Sequence, residues 1–449
     1  SYCSQNGKLL FFKMVIYYLG SNWMKIAITK KGSLSKKDNK VKRMVDLKVG
    51  IIGVGNCGGN IARLAHDRLG VEAIAINTSK DDLAFHTDHI YTCLIGANGE
   101  GVGKDRTAAK MYIRSAITSL ISDKAVQKLI NESDVIFIPS SCGGGTGSGI
   151  SLLLTQALIA LDQQRLMKEE GDIGVEEKFF IPIGVAPVTT EATGSQLNFT
   201  DYMKDLLEAM PHIGSYMLYD NSRCDNKRNQ DEVIEAVNQR VVDDISVIRG
   251  DFVKKSNNRS IDTQSMRTIL RAGGRLVVSY ARGFKDSSIS KSDDIENLLI
   301  SDLQTSPHML IDRNRLCSEF GVIANLSDNS YNCFNMNIPL VSSLTGRPTD
   351  SFENITINDS QMCENEVYLI VSGLPYPESK VIEVNKLLEE IAKEEEARIQ
   401  AAENAAENLG DLFNSSGINT LRSNRGYHKT GRKLTGTKDI LSMDDIFKI

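Results

Sequence analysis

Short apolar runs alternate with segments of helical periodicity through the first half of the chain. The runs that predict strands are residues 47–52, 71–76, 90–95, 134–139, 179–185 and 215–219. Between them, residues 61–69, 104–121 and 150–161 carry apolar side chains at the spacing of a helix. We therefore predict an α/β fold with a doubly wound parallel sheet, whose ligand loops lie at the carboxyl ends of the strands.

The second half of the chain has a different pattern. Residues 231–252 carry apolar side chains at helical spacing, which predicts one long central helix. Apolar runs at 275–280, 309–312, 320–323 and 367–372 then predict shorter strands, in a smaller domain of mixed α and β character. Residues 379–409 are rich in alanine and glutamate and predict a helix, and the polar chain from 414 onward predicts disorder.

Composition and charge narrow the class of protein. A length of 449 residues suffices for two packed domains with tails. The net charge of −5 excludes a general polycation, so we expect the core to bind no nucleic acid directly. The eight cysteines are scattered and include no C-x-x-C pair, which is poor spacing for a metal site or a disulfide framework. Reduced thiols in a cytoplasmic protein, without a metal site built from protein ligands, are the expectation.

The N-terminal segment differs from the rest. The apolar run 9–19 is interrupted by Lys13 and is shorter than the ~20 residues that span a bilayer, so we expect no membrane insertion. We interpret residues 1–44 as a non-core extension, because the first predicted strand begins almost at once afterwards. Met44 would then be the natural start.

Two glycine-rich loops each follow a predicted strand and open a predicted helix, an arrangement that brings backbone N–H groups to phosphate oxygens. The first, residues 53–60, matches the dinucleotide pattern G-x-G-x-x-G. That pattern wants an acidic residue ~20 positions later to bind a ribose, but the next strand ends in Asn77 and Thr78. A nicotinamide-dependent dehydrogenase is therefore disfavoured, and no G-x-x-x-x-G-K-[ST] loop is present.

The second loop, residues 143–149, reads GGGTGSG. Five glycines with two hydroxyl groups between them can surround a di- or triphosphate with N–H and O–H donors. A flexible linker is the alternative. The position of the loop between a clear strand and a clear helix argues against it.

These motifs occur in the order typical of one family, and residues 47–373 resemble the tubulin/FtsZ superfamily, most closely the plasmid and phage TubZ-like tubulins. The resemblance implies a GTP site whose first four loops contribute Gly55, Asn56, Cys57, Gly58 and Asn60; Asn77 and Thr78; Gly101, Val102, Gly103 and Lys104; and Gly143, Gly144, Gly145, Thr146, Gly147 and Ser148. For Lys104, a solvated surface lysine is the alternative.

The nucleoside end of the site follows from the same resemblance. Glu191 takes the position that faces the ribose, and Asn221 takes one that contacts the base or ribose. Asn238, on the predicted central helix, corresponds to an asparagine whose amide pairs with guanine. A polar residue on the solvent side of that helix is the alternative.

The catalytic residue is expected in residues 257–267. The family places two acidic residues here, which reach the nucleotide of the next subunit and position water. Asp262 takes the first acidic position, but Ser265 takes the second and can only help to hold a water molecule. Asp262 is therefore the predicted hydrolytic residue, with Asp251 as another acid that could contribute.

The resemblance thus implies a GTPase that binds GTP, GDP and Mg²⁺ and polymerises head-to-tail into filaments. Plasmid or phage DNA segregation is the preferred role, and a structural filament with little turnover or an FtsZ-like division role are the alternatives. The expected regions are a GTP-binding domain at 45–229, a central helix at 230–256, an activation domain at 257–375, a C-terminal helix at 376–410 and a disordered tail at 411–449. The basic tail suggests a DNA-bound adaptor as partner, or contacts to the neighbouring subunit.

Overall fold

The computed structural model describes residues 44–96, 98–169, 175–224, 229–256, 260–312, 317–335, 337–358 and 364–415. The predicted extension, apart from Met44, and the basic tail lie outside these ranges. Among the described helices, none combines the length and apolar character that crossing a bilayer requires.

Six parallel strands form the first part of one sheet, in the order β3-β2-β1-β4-β5-β6. They are β1 Val49–Val54, β2 Glu72–Asn77, β3 Tyr91–Leu94, β4 Val135–Ser141, β5 Phe179–Ala186 and β6 Ser215–Asp220. The six predicted strands are confirmed, each within two residues at either end. The sheet is buried on both faces. The adjacent residues Ile51 and Ile52 of β1 belong to separate buried clusters, one on each face.

Helices cover both faces of this sheet. They are α1 Gly55–Leu69, α2 Lys80–Ala84, α3 Arg106–Ser122, α4 Lys124–Glu132, α5 Gly145–Lys168 and α6 Thr193–Ile213. Helix α3 starts at the Asp105 cap, whose carboxylate accepts bonds from the Thr107 and Ala108 N–H groups. Helices α1 and α5 begin inside the glycine loops, earlier than the periodicity predicted. Helices α2, α4 and α6 were not predicted.

The central helix α7 spans Gln230–Ile248 and is followed by α8, Thr263–Arg271. Helix α7 ends four residues before the predicted limit, where the chain turns through Gly250 at φ +81°. Its buried Arg240 binds the Asp244 carboxylate, the Asp302 carboxylate and the Val278 carbonyl, which joins α7 to the second half of the sheet. Because α8 begins at Thr263, residues 263–267 of the segment predicted to carry the catalytic acid are helical.

The sheet continues without a break as β6-β7-β10-β8-β9. The elements are β7 Gly274–Phe284, α9 Ser292–Thr305, β8 Glu319–Leu326, α10 Asp328–Cys333, α11 Pro339–Thr345, β9 Asp350–Ile357 and β10 Asn365–Leu374. Strand β10 is antiparallel to β7 and β8, and the pairs β6–β7 and β8–β9 are parallel.

The predicted strand at 309–312 is wrong. This segment is irregular, although the Met309 N–H donates to the Leu218 carbonyl at 3.0 Å and the Met309 side chain is buried. Met309 therefore anchors an irregular segment rather than a strand. The edge strand β9 was not predicted, because polar residues interrupt its apolar pattern.

The C-terminal helix α12 spans Glu378–Ser415, beyond the predicted end at 410. Val384 is buried near its start, whereas residues 392–405 are exposed. Since one sheet runs through both predicted domains, the proposed domain division stays a prediction.

Candidate functional site

The two glycine loops meet at the carboxyl ends of β1 and β4. A Cβ atom on Gly55, which has φ +72°, would lie 3.1 Å from the Gly147 nitrogen. One on Gly58 would lie 2.1 Å from the Pro139 carbonyl oxygen. These approaches exclude larger side chains, so the predicted first and fourth loops form one continuous surface of backbone.

Both helices that leave this surface have uncapped amino ends. Helices α1 and α5 begin after Val54 and Gly144, neither of which makes a side-chain capping hydrogen bond. The first N–H groups of a helix have no partner within the helix, and the helix dipole adds positive potential there. Two such ends side by side form a site suited to phosphate.

The third loop packs against the fourth. A Cβ atom on Gly145 would lie 2.7 Å from the Lys104 Cα atom, and Lys104 itself has φ +68°. The Asn198 amide donates to the Lys104 carbonyl at 3.0 Å and to the Gly143 carbonyl at 3.2 Å. Gly101, in the same loop, donates its N–H to the Thr78 carbonyl at 3.0 Å. The structure thus brings the second, third and fourth predicted loops together.

Several side chains of these loops make hydrogen bonds within the protein. The Ser148 hydroxyl donates to the Gly144 carbonyl, so it is directed at the protein rather than at a ligand. The Thr146 hydroxyl lies 2.7 Å from the Thr78 hydroxyl. The Lys104 ammonium donates to the Ser195 hydroxyl at 2.7 Å, rather than standing free in solvent. Backbone groups therefore remain the main donors for a phosphate.

Arg106 is a buried residue that the sequence did not single out. Its guanidinium donates to the Ser148 hydroxyl at 3.1 Å and to the Ser148 carbonyl at 2.9 Å, and it pairs with the Asp205 carboxylate. It therefore fixes the start of α5 against α3 and α6. Its position two residues after the third loop is the sequence signal that could have identified it.

Asn77 shapes the second loop from within. Its amide oxygen accepts from the Thr78 N–H at 2.7 Å and the Ser79 N–H at 3.2 Å, while its amide nitrogen donates to Asp82. Because these contacts occupy both ends of the amide, Asn77 acts here as a turn residue.

Two of the three predicted nucleoside residues face a common cavity. Glu191 and Asn221 line a cavity of about 840 Å³. Burial raises the pKa of the Cys57 thiol to about 12, and the Glu191 carboxylate contributes to that rise, which places the first loop beside Glu191. Within the described residues, the Asn221 Oδ1 atom is buried without a hydrogen-bond partner. Asn238 is 8% exposed, so the solvent-side alternative is wrong.

Asp262 lies at the other end of the sheet. It caps α8, and its carboxylate accepts from the Ser265 N–H and hydroxyl, each at 2.8 Å, which lowers its pKa. Helix α8 is held by Arg267, which binds Asp134 at 3.3 Å just before β4 begins. The seven residues of β4 span about 20 Å, so Asp262 cannot reach the glycine loops of its own chain.

Two other expectations concern acids and metals. The Asp251 carboxylate pairs with the Arg249 guanidinium, with Nε and Oδ1 2.8 Å apart. Over the described part of the chain, three or more histidine, cysteine, aspartate or glutamate side chains do not cluster as a metal site would require.

Comparison with known proteins bears on this arrangement. No protein-family model matches the chain. It is 24% identical to the tubulin-like protein CetZ of Pyrococcus abyssi over 283 residues, which cover 61% of this chain and 71% of CetZ. Its fold is similar to that of TubZ from Clostridium botulinum phage c-st, with a TM-score of 0.59 and 20% identity, covering 77% of this chain and 99% of TubZ.

A third comparison is with CetZ2 from Haloferax volcanii, solved as a GTPγS-bound protofilament. The TM-score is 0.58 at 21% identity, and the match covers 77% of this chain and 100% of CetZ2. The chain has the tubulin/FtsZ fold. The predicted fold class is thereby confirmed.

The comparisons do not single out TubZ-like proteins, which the sequence analysis favoured, within this superfamily. Relatives by sequence, at 24–26% identity, are CetZ proteins from archaea. The likeness to TubZ is a likeness of fold, so a particular kinship with plasmid and phage TubZ proteins stays a prediction.

Proposed function

We propose that this protein binds and hydrolyses GTP and polymerises head-to-tail into filaments. The observation that carries the proposal is the separation of its two functional parts. The glycine loops lie at the carboxyl end of the sheet and Asp262 lies about 20 Å away at the amino end. A complete site then requires two subunits, the loops of one and Asp262 of the next.

A nucleoside triphosphate fits the loops on two grounds. The glycines at 55, 58 and 145 allow backbone approaches that any side chain would block. At the nucleoside end, the unpartnered Asn221 oxygen and the buried Asn238 amide provide groups for a base or ribose. The Asn238 amide can both donate and accept, which is what recognition of guanine requires.

The mechanism is positioning combined with electrostatics. The N–H groups at the starts of α1 and α5 bind the phosphates, and Asp262 of the neighbouring subunit orients and polarises the attacking water. Ser265 holds the Asp262 carboxylate in place by two hydrogen bonds. Mg²⁺, which binds largely through substrate phosphates and water, would neutralise charge on the phosphates.

Known relatives support parts of this proposal. CetZ2 from Haloferax volcanii has been solved as a GTPγS-bound protofilament, and TubZ from Bacillus thuringiensis as a GTPγS-form protofilament. Segregation of plasmid or phage DNA, through an adaptor on the C-terminal tail, is our proposal for the cellular role, in a bacterial or phage-infected cytoplasm. A structural filament with little turnover is the second candidate, because Ser265 replaces an acid.

A mixing experiment tests the shared site. Asp262→Ala keeps the loops intact, and Gly145→Val blocks the loops but keeps Asp262. Each variant alone should release little phosphate from GTP. An equimolar mixture should regain activity, because a Gly145→Val subunit supplies Asp262 to the loaded site of an Asp262→Ala subunit.

Light scattering in the same cuvette reports assembly. Scattering that rises with GTP above a critical concentration and falls as phosphate appears is expected of wild type. Scattering without phosphate release would favour the structural filament. Wild-type turnover by Asp262→Ala alone would contradict the shared site, and absence of GTP binding by wild type would overturn the proposal as a whole.

A further inference from the structure

The cavity at the nucleoside end has a wall that belongs to the C-terminal helix. On one side it is lined by Glu191 and Asn221, and on the other by Ser379, Lys380 and Glu383 of α12. Residues separated by more than 150 positions in the sequence therefore face the same space. The loops assigned to the nucleotide and the start of α12 are immediate neighbours.

Lys380 joins the two sides through a buried ion pair. Its ammonium lies 2.9 Å from Asp220 Oδ2, and the two residues are 6% and 3% exposed. It also donates to the Ser222 hydroxyl at 3.1 Å. The ammonium also donates to the Glu383 carboxylate at 2.9 Å, on the same helix. Removal of Lys380 therefore takes away the ammonium that pairs with the buried Asp220 carboxylate beside the cavity.

Asp220 in turn fixes the conformation of Asn221. Its other carboxylate oxygen accepts from the Ser222 N–H at 3.0 Å and from the Ser222 hydroxyl, which closes the short turn Asn221–Arg223. Asn221 thus sits between two residues that Lys380 contacts. Its buried Oδ1 atom has no partner among the described residues, which leaves it available to a ligand.

The start of α12 is anchored independently of Lys380. The Ser379 N–H and hydroxyl bind the Asp312 carboxylate, with a distance of 3.2 Å for the N–H. Val384 is buried in the cluster that includes residues of α6. Lys380 therefore belongs to a helix with a fixed position, and a displacement of that helix would withdraw the ammonium from Asp220.

We propose that Lys380 is a positioning residue for Asn221 and that, through Asp220, it couples the C-terminal helix to the nucleoside end of the site. The inference rests on the proposed GTP binding and deepens it. Coupling is reciprocal, so a nucleotide that binds Asn221 also stabilises the start of α12 against Asp220. A partner that displaces α12 weakens nucleotide binding.

The first test is nucleotide affinity, measured by equilibrium titration of a fluorescent GTP and a fluorescent GDP. Lys380→Met keeps the length of the side chain and removes its charge. We expect about a tenfold loss of affinity, equal for GTP and GDP because the phosphate loops are untouched. Lys393→Met, an exposed lysine on the same helix, is the matched control and should bind like wild type.

The second test is the reciprocal effect. Hydrogen exchange at residues 378–388 should slow when GDP is added to wild type, and this protection should vanish in Lys380→Met. A purely structural lysine would alter exchange to the same degree with and without nucleotide. If Lys380→Met does not fold, the double variant Lys380→Met, Asp220→Asn removes both buried charges and should fold with the same loss of affinity.

The outcomes separate this inference from the proposed function. Unchanged affinity in the folded variants, with wild type binding GTP, would overturn the role of Lys380 and leave GTP binding in place. A loss confined to GTP would also overturn it, since it would point to the phosphates. Failure of wild type to bind GTP would remove the proposed function, and this inference with it.

Discussion

The two ends of the parallel sheet are held by different kinds of contact. At the carboxyl end, the loops touch one another through glycine and backbone, as where Gly145 meets Lys104. At the amino end, charged side chains hold α8, as where Arg267 binds Asp134 and Glu176. Under the proposed function, the carboxyl end admits a phosphate and needs free N–H groups without bulky side chains, whereas the amino end presents one carboxylate and needs a rigid support.

Loss of the Asp262 carboxylate should have the largest effect, and it should slow GTP hydrolysis without changing GTP binding. Asp262→Asn keeps a side chain that caps α8 well, so the fold should persist. Phosphate release should fall on the order of 100- to 1000-fold, because an amide is a poor base for the attacking water. GTP affinity, measured by titration, should not change. A matching fall in affinity would mean that Asp262 belongs to the site of its own chain.

Removal of the support at the amino end should cost folding stability. Arg267 is 3% exposed, and Arg267→Met removes the guanidinium that pairs with the carboxylates of Asp134 and Glu176. We expect the free energy of unfolding in urea to fall by about 2 kcal/mol, because hydrogen bonds to charged groups are lost. Arg271→Met, which breaks the exposed pair with Glu177, should cost less than about 1 kcal/mol. Equal losses would contradict the role of Arg267.

A single methyl group should suffice to disturb the carboxyl end. Gly145→Ala places a Cβ atom 2.7 Å from the Lys104 backbone, so the third and fourth loops must move apart. GTP affinity should fall by about 30-fold, which corresponds to about 2 kcal/mol. Gly194→Ala is the control, because a Cβ atom there meets nothing within 4 Å. Wild-type affinity in Gly145→Ala would show that the loops need not be in close contact.

Mild acid should destabilise the carboxyl end more than the amino end, and this effect should be smaller than those of the substitutions. Burial lowers the folded-state pKa of His86 and of His308 below the ordinary value near 6.5. The unfolded chain then binds more protons, so the free energy of unfolding falls as the pH drops below about 6.5. Both histidines lie near the carboxyl end, since His86 packs against Gly59 of α1 and His308 stacks on Tyr219 of β6.

The amino end should resist the same change. Hydrogen bonds from Ser265 lower the pKa of Asp262, so the cap of α8 is lost only as the pH falls below about 3.8. Hydrogen exchange, corrected for intrinsic rates, should therefore rise in α1 but not in α8 between pH 7 and 5.5. His86→Gln should reduce the response, and His212→Gln, at an exposed position, should not. Equal responses of α1 and α8 would refute this difference.

The sequence predicted the parts of the fold that depend on local pattern. Strands such as β1 and β4 are apolar on both faces, so their runs stand out, and the glycine loops follow them directly. Strand β9 lies at the sheet edge with exposed residues at both ends, and its pattern is too mixed to be recognised.

The candidate site was predictable to a similar extent. The loop residues were found because glycine is required where backbones touch. Arg106 and Lys380 were missed because their roles depend on partners distant in sequence, Asp205 and Asp220. The role of Ser148 at a phosphate stays a prediction, and in the structure its hydroxyl donates to the Gly144 carbonyl.

Because α12 is long, a small rotation at its anchored start would produce a large displacement at its far end. Its 38 residues extend about 57 Å, and residues 392–405 are exposed along the shaft. A tilt of about 5° about Lys380 would move the far end by about 5 Å, several times the displacement at the pivot. The distance between a label at the far end of the helix and a label on the sheet would therefore report small changes in position around Asp220.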